Sequence, residues 1–235
     1  MKKVLFAVSM AVVVVFTAAV SLCVSVLTGA QAVDGFSGGG MRIVLDAGHG
    51  GIDGGVVGKS TGVKESDLNL AITYQVKSAL EEIGFETVLT RKTEAGLYGT
   101  AAKGFKKRDM QKRKELIEGA DPDLLLSIHQ NYYPSKSIRG AQVFYNKTNQ
   151  RGRKLATSLQ KKLNGLYKEE KVRKRTATSG DYFLLNCSDC PSVIVECGFL
   201  SNPEDEKLLI DEAWQKKLAD TIASGVLAYF ADVSA

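Results

Sequence analysis

From Met41 onward, short apolar runs rich in β-branched residues alternate with longer stretches of helical period. That alternation restricts the chain to an α/β domain, because each apolar strand needs a helical layer to cover it. The pattern predicts strands at Arg42 to Asp46, Phe85 to Thr90, Leu124 to Ile128, Ala141 to Tyr145, Tyr182 to Leu185 and Ser192 to Glu196. A first helix is expected from Asp67, read as its N-cap, to Ile83, with Leu68, Ile72, Val76 and Leu80 on one face and Gly84 as its stop. Further helices are expected at Arg108 to Glu118, Gly152 to Tyr167 and Ala213 to Phe230. Lys92 to Gly104 lacks periodicity and reads as a long surface loop at the rim of a site. The pattern is that of an α/β domain with a largely parallel β-sheet, and no internal repeat is present.

The first 32 residues are a separate matter. Met1-Lys2-Lys3 precedes an uncharged run from Val4 to Leu27, and Ala30-Gln31-Ala32 has the small-x-small form of a cleavage site. The run is also about long enough to span a bilayer, so residues 1–32 read as a signal peptide or as an uncleaved anchor. Either way the leading lysines place the folded part outside the cytoplasm. Residues 33–40, glycine-rich at Gly38-Gly39-Gly40, read as a linker, and 41–235 as one catalytic domain. The chain is 235 residues with 31 basic and 26 acidic side chains; without Lys2 and Lys3 the balance is 29 against 26. That excess argues against nucleic acid as a partner and suits an anionic cell envelope. Contact with a membrane is expected only through the N-terminal segment.

The chain has two histidines, and each stands just past the end of an expected strand: His49 in Asp46-Ala47-Gly48-His49-Gly50-Gly51, and His129 in Ser127-Ile128-His129-Gln130-Asn131. Glu196 closes a third strand in the same way, at the sheet end where α/β proteins bind ligands. Glu65 lies between the glycine-rich loop and the first helix, at the positive end of the helix dipole. Two imidazoles and one carboxylate form a catalytic zinc set, and a second carboxylate can serve as general base. The competing reading is that each histidine is a hydrogen-bonded structural residue at a strand end.

Four segments in order carry a resemblance: Ile43 to Gly55, Lys64-Glu65, Ser127 to Asn131, and Val195-Glu196-Cys197-Gly198-Phe199-Leu200-Ser201-Asn202. With them the chain resembles the zinc-dependent N-acetylmuramoyl-L-alanine amidases of the Amidase_3 family from about Arg42 to Phe230, and its basic segment at Lys103 to Arg113 most resembles the spore-cortex CwlD-type branch. The resemblance implies an α/β fold, a three-layer sandwich with a central mostly parallel β-sheet flanked by helices; it also implies that His49, Glu65 and His129 bind Zn2+, that Glu196 acts on the attacking water, and that Arg113 and Asn131 support them. It implies hydrolysis of the amide between N-acetylmuramic acid and L-alanine in peptidoglycan, in spore cortex maturation or germination, and admits an activator protein as partner. The expected location is the extracytoplasmic wall or the spore intermembrane space. A noncatalytic wall-binding module and a different zinc peptidase of the wall are the alternatives. Two residues depart from the pattern: Cys197 follows the glutamate, and Gln130 follows the second histidine.

Other signals carry less. Gly54 to Ser60 resembles a phosphate loop, but Asp53 stands where that motif requires glycine. Cys187-Ser188-Asp189-Cys190 has Cys-x-x-Cys spacing, readable as reduced thiols, a small disulfide, a redox pair or half a metal site. Cys197 beside Glu196 could make the zinc site oxidation-sensitive. The lysines and arginines from Lys103 to Lys114 form either a solvated helix face or a contact with anionic glycan, peptide carboxylates or a partner protein. Tyr132 and Tyr133 could stack on sugar or pack at a domain edge.

Overall fold

In a computed structural model the described residues are 39–168 and 170–233, so the export segment and most of the linker lie outside them. The described chain runs β1 (Arg42–Ala47), α1 (Glu65–Glu82), β2 (Glu86–Leu89), α2 (Phe105–Ala120), β3 (Leu124–Asn131), β4 (Gln142–Tyr145), α3 (Gln150–Leu166), β5 (Thr178–Ser179), a 3₁₀ turn (Phe183–Asn186), β6 (Ser192–Phe199), α4 (Pro203–Leu209) and α5 (Glu212–Val233).

The strands form one mixed sheet in the order β2-β1-β3-β6-β4-β5. β2, β1, β3 and β6 are parallel, and β4 with β5 runs the other way on the far edge. Central β3 reads Leu-Leu-Leu-Ser-Ile without alternation because both of its faces are covered, as a parallel sheet requires. α1, α3 and α5 pack together in one layer. On the opposite face, α2 and the 3₁₀ turn meet β1 and β3 through an apolar cluster of Val44, Ile117, Leu125 and Leu184, which also takes in Cys187 and Cys190. Both of those thiols are free and buried. Among the described residues no helix is long and apolar enough to cross a membrane.

Three expectations are corrected. Tyr182 to Leu185 is not a strand: Phe183–Asn186 forms a 3₁₀ turn, and the edge strand is the short Thr178–Ser179. A continuous apolar quartet has no period to distinguish strand from turn, and here Leu184 and Leu185 are buried while Asn186 Nδ2 donates to Tyr182 O at 3.0 Å. The first helix starts at Glu65, with Lys64 rather than Asp67 at the N-cap and no capping side chain. Loop carbonyls do the capping instead, Val56 O accepting from Glu65 N at 2.7 Å and Gly54 O from Ser66 N at 3.0 Å. The third correction is an omission, α4. Its signal was present in Asn202-Pro203-Glu204-Asp205-Glu206: the Asn202 side chain caps Glu204 N and Asp205 N, proline takes the first helical position, and acids fill the first turn.

Candidate functional site

β1, β3 and β6 end side by side, and the register fixes what meets there. Asp46 lies beside Ser127, and His129 beside Glu196. Beyond β1 the chain turns sharply through Gly48 and His49, whose φ of 61° is left-handed and costs a non-glycine residue about 1–3 kcal/mol. Arg113 Nη2 holds this strained turn by donating to His49 O at 2.5 Å. Gly48 leaves room for the second histidine, since a Cβ there would fall 2.1 Å from the His129 ring. Gly55, at φ +67°, leaves room in the same way for the Glu65 carboxylate.

Glu65 is the centre of the cluster. Its Oε1 lies 3.2 Å from His49 Nε2 and 2.9 Å from His129 Nδ1, and it accepts from Gln130 N at 3.2 Å and Asn69 Nδ2 at 3.3 Å. Val56 N donates to Oε2 at 2.8 Å. Burial alone would raise the pKa of this carboxyl, but the hydrogen bonds and charges of the two histidines outweigh burial and hold it far below the carboxylate range. His49 Nδ1 in turn faces Asp53 Oδ2 at 3.2 Å, a contact that orients the ring so that Nε2 points into the cluster. One donor atom each from His49, Glu65 and His129 lies within 4.8 Å of the others, a spacing and chemistry that fit a zinc ion with one position open.

Glu196 differs from Glu65. Its Oε2 is buried without a hydrogen-bond partner, and burial, reinforced by Glu65 against the pull of His129 and His49, raises its pKa to about 7. It faces a cavity of about 290 Å³ that also touches His49 and His129 and has apolar walls from Tyr98, Phe105, Met110 and Phe183. The Lys92 to Gly104 loop, irregular as expected, supplies Tyr98 to this rim.

The four residues singled out from the sequence, His49, Glu65, His129 and Glu196, therefore share one site. Arg113 lies beneath it, fully buried, bonded to Asp46 Oδ1 at 2.5 Å, Asp109 Oδ2 at 2.6 Å and Ala47 O at 2.7 Å. Asn131 sits at the end of β3, where its side chain accepts from Tyr132 N and its carbonyl from Leu200 N. Asp46, Asp53 and Asn69 were not singled out from the sequence; only the adjacency of Asp46 and Asp53 to the His49 motif could have flagged two of them. Cys197 points away from Glu196, as strand alternation demands, and burial pushes its thiol pKa well up, a poor state for oxidation.

Fold and site together define a class: an α/β protein whose parallel strands lead to three donor side chains spaced to hold a metal ion, beside a buried carboxylate of raised pKa, an arrangement that suits a hydrolase. The chain belongs to the Amidase_3 family, N-acetylmuramoyl-L-alanine amidase, which it matches over residues 43–228. It is 36% identical over 196 residues to the germination-specific N-acetylmuramoyl-L-alanine amidase of Bacillus subtilis (strain 168), covering 82% of this chain and 81% of that protein. Its structure is similar to that of the CwlD amidase from Clostridioides difficile in complex with the GerS lipoprotein, with a TM-score of 0.77 and 36% identity over 81% of this chain and 98% of that one. The N-acetylmuramoyl-L-alanine amidase from Clostridium difficile 630 follows with a TM-score of 0.70 and 29% identity over 81% and 97% of the two chains.

Proposed function

We propose that this protein is a zinc-dependent amidase that hydrolyses the bond between N-acetylmuramic acid and L-alanine in peptidoglycan, with His49, Glu65 and His129 as metal ligands and Glu196 as general base. The observation that carries this reading is the pairing of a converged His-Glu-His donor set with a buried, unpartnered carboxylate of raised pKa at the mouth of the same cavity. Zinc held by the three donors supplies a Lewis acid for the scissile carbonyl. Glu196 takes a proton from the attacking water at Oε2 and delivers it to the departing L-alanine nitrogen, a task suited to a carboxyl that titrates near neutral pH. Asp53 orients the ring of His49, and Arg113 fixes the turn that presents it.

The germination-specific and CwlD relatives support a role on spore cortex, and the complex of CwlD with GerS supports an activator protein as partner. Residues 1–32 act as export signal or anchor, 33–40 as tether and 41–235 as the catalytic domain, which puts the activity outside the cytoplasm. The test is mass spectrometry of purified peptidoglycan digested by the protein with zinc and after chelation. Zinc-dependent release of stem peptides bearing a free L-alanine amine is expected. Cuts that leave the lactyl amide whole would assign a peptidase, and wall binding without any cut, with the partner protein present as well as without it, would assign a wall-binding module.

Gly48→Ala gives a sharp check of the ligand geometry. The added methyl collides with the His129 ring, so zinc affinity is expected to fall by at least about 10-fold, measured by competition with a chromophoric chelator. Unchanged affinity would remove His129 from the ligand set.

A further inference from the structure

The basic run of α2 is largely neutralised within the fold. Lys106 pairs with Asp53, Lys112 with Glu115 and Lys114 with Glu118, while Arg108 donates to backbone carbonyls. A second concentration of positive charge lies before β5. Lys168 to Arg175 holds five cationic residues against Glu169 and Glu170, and among the described residues Lys171, Arg173 and Lys174 are exposed and make no ion pair. With Arg139 and Arg175 they line a cleft of about 650 Å³ that has no acidic residue in its wall.

Two buried features show that the cleft is short of negative charge. Arg139 donates through Nε to Asp205 Oδ1 at 3.0 Å, yet its buried Nη2 has no partner. Asp205 is already committed, accepting also from Gly140 N and Phe199 N. Arg175 lies 5.1 Å from the Phe199 ring centroid, donates to Arg139 O, and has its pKa lowered by burial and, against Asp205, by the neighbouring charge of Arg173. Several like charges gathered around one carboxylate, Asp205, carry a standing cost that a bound anion reduces.

The sheet register places this cleft relative to the chemistry. Glu196 on β6 lies beside Gln142 on β4, and Gln142 Nε2 donates to Thr176 O at 2.8 Å. Glu196, Gln142 and Thr176, which lies just before β5, thus form a row roughly 10 Å long at the usual inter-strand spacing. β4 and β5 run opposite to β6, so residues 171–175 continue past the same end of the sheet at which Glu196 sits. Extended peptide spans about 3.3–3.6 Å per residue, so about three residues cover the length of this row.

We propose that the cleft lined by Arg139, Lys171, Arg173, Lys174 and Arg175 is a subsite that binds the carboxylates of the peptidoglycan stem peptide and so selects substrates whose peptide acids are free. The proposal deepens the amidase reading and rests on it for the identity of the peptide. Charge complementarity favours a carboxylate-bearing peptide, and the cleft's place at the catalytic end of the sheet favours the substrate over an anionic membrane.

The test is calorimetric titration of the full chain with the peptide L-Ala-γ-D-Glu-meso-diaminopimelate-D-Ala and with its carboxyl-amidated counterpart. Wild type is expected to bind the free acid at least about 10-fold more tightly, with the preference shrinking as salt rises. The exposed triple variant Lys171→Gln, Arg173→Gln, Lys174→Gln is expected to lose the preference while cleaving N-acetylmuramoyl-L-alanine amide with unchanged kcat/KM. A triple variant that keeps the preference, or a wild type without one, overturns the subsite. Unchanged peptide binding combined with lost binding to phosphatidylglycerol vesicles also overturns it and assigns the cleft to a membrane. Peptide preference in a protein that hydrolyses no muramoyl amide would leave the subsite standing and sink the amidase reading instead.

Discussion

Glu196→Gln is expected to lower kcat by about 10²- to 10⁴-fold while the three metal donors still bind zinc, because the amide keeps the shape of the side chain and cannot take the water proton. The same substitution has an opposite effect on the metal-free fold. The Glu196 carboxyl has a pKa raised to about 7 in the folded protein from an ordinary value of 4.5, so between those values the native state binds more protons than the unfolded chain and stability falls as pH rises. The glutamine variant has no such group. At pH 8 in chelator it is therefore expected to be more stable than wild type by on the order of 2–3 kcal/mol, and near pH 4 the two should coincide. Thermal unfolding at both pH values checks the sign, and zinc binding with turnover checks the role. Wild-type turnover in the variant would move the base elsewhere; equal stability at pH 8 would mean that Glu196 is not desolvated as its surroundings require.

Arg113→Ala should be the most damaging substitution for the fold. It removes the cation paired with Asp46, wholly buried, takes one donor each from Asp109 and Ala47 O, and leaves the His49 carbonyl without its donor. Removing one partner of a buried ion pair costs about 3–5 kcal/mol, or roughly 10 °C in Tm for a domain of this size. Burial pushes the Asp46 pKa up, but Arg113, with Thr90 and Ser127, more than offsets it and brings the pKa to about 2 from 3.8. In wild type this contribution is present above pH 4 and is lost as pH falls through about 2. Without Arg113 burial prevails and Asp46 holds its proton, so the penalty should be larger at pH 7 than at pH 4. Arg113→Lys keeps the charge but not the fork that reaches two carboxylates and two carbonyls, and an intermediate loss is expected. A variant as stable as wild type would show that the turn carrying His49 is held by other contacts.

Zinc competition with Arg113→Lys then separates support of the site from support of the fold. The guanidinium touches no cluster atom directly; it acts through the His49 carbonyl and the left-handed turn. Weakened zinc binding in a variant that remains folded would identify Arg113 as a positioning residue.

The sequence by itself determined the α/β alternation, four of the five helices and the three strand ends that carry His49, His129 and Glu196. These follow from local period and from the general rule that parallel strands present their ligands at their carboxyl ends. It also marked Glu65 from its place before the first helix, although the residue proved to open that helix rather than precede it. The Tyr182 to Leu185 run was ambiguous because four consecutive apolar residues have no period, and the tertiary structure decided it by burying Leu184 and Leu185 against α2 and β6. Tertiary structure alone also decided which charges are spent. Asp46 meets Thr90, Ser127 and Arg113 from 44, 81 and 67 residues away, and Lys106 of α2 finds Asp53 across the site. Periodicity is written along the chain and can be read there, whereas an ion pair or an unpartnered carboxylate exists only once the register of the sheet has brought distant residues together.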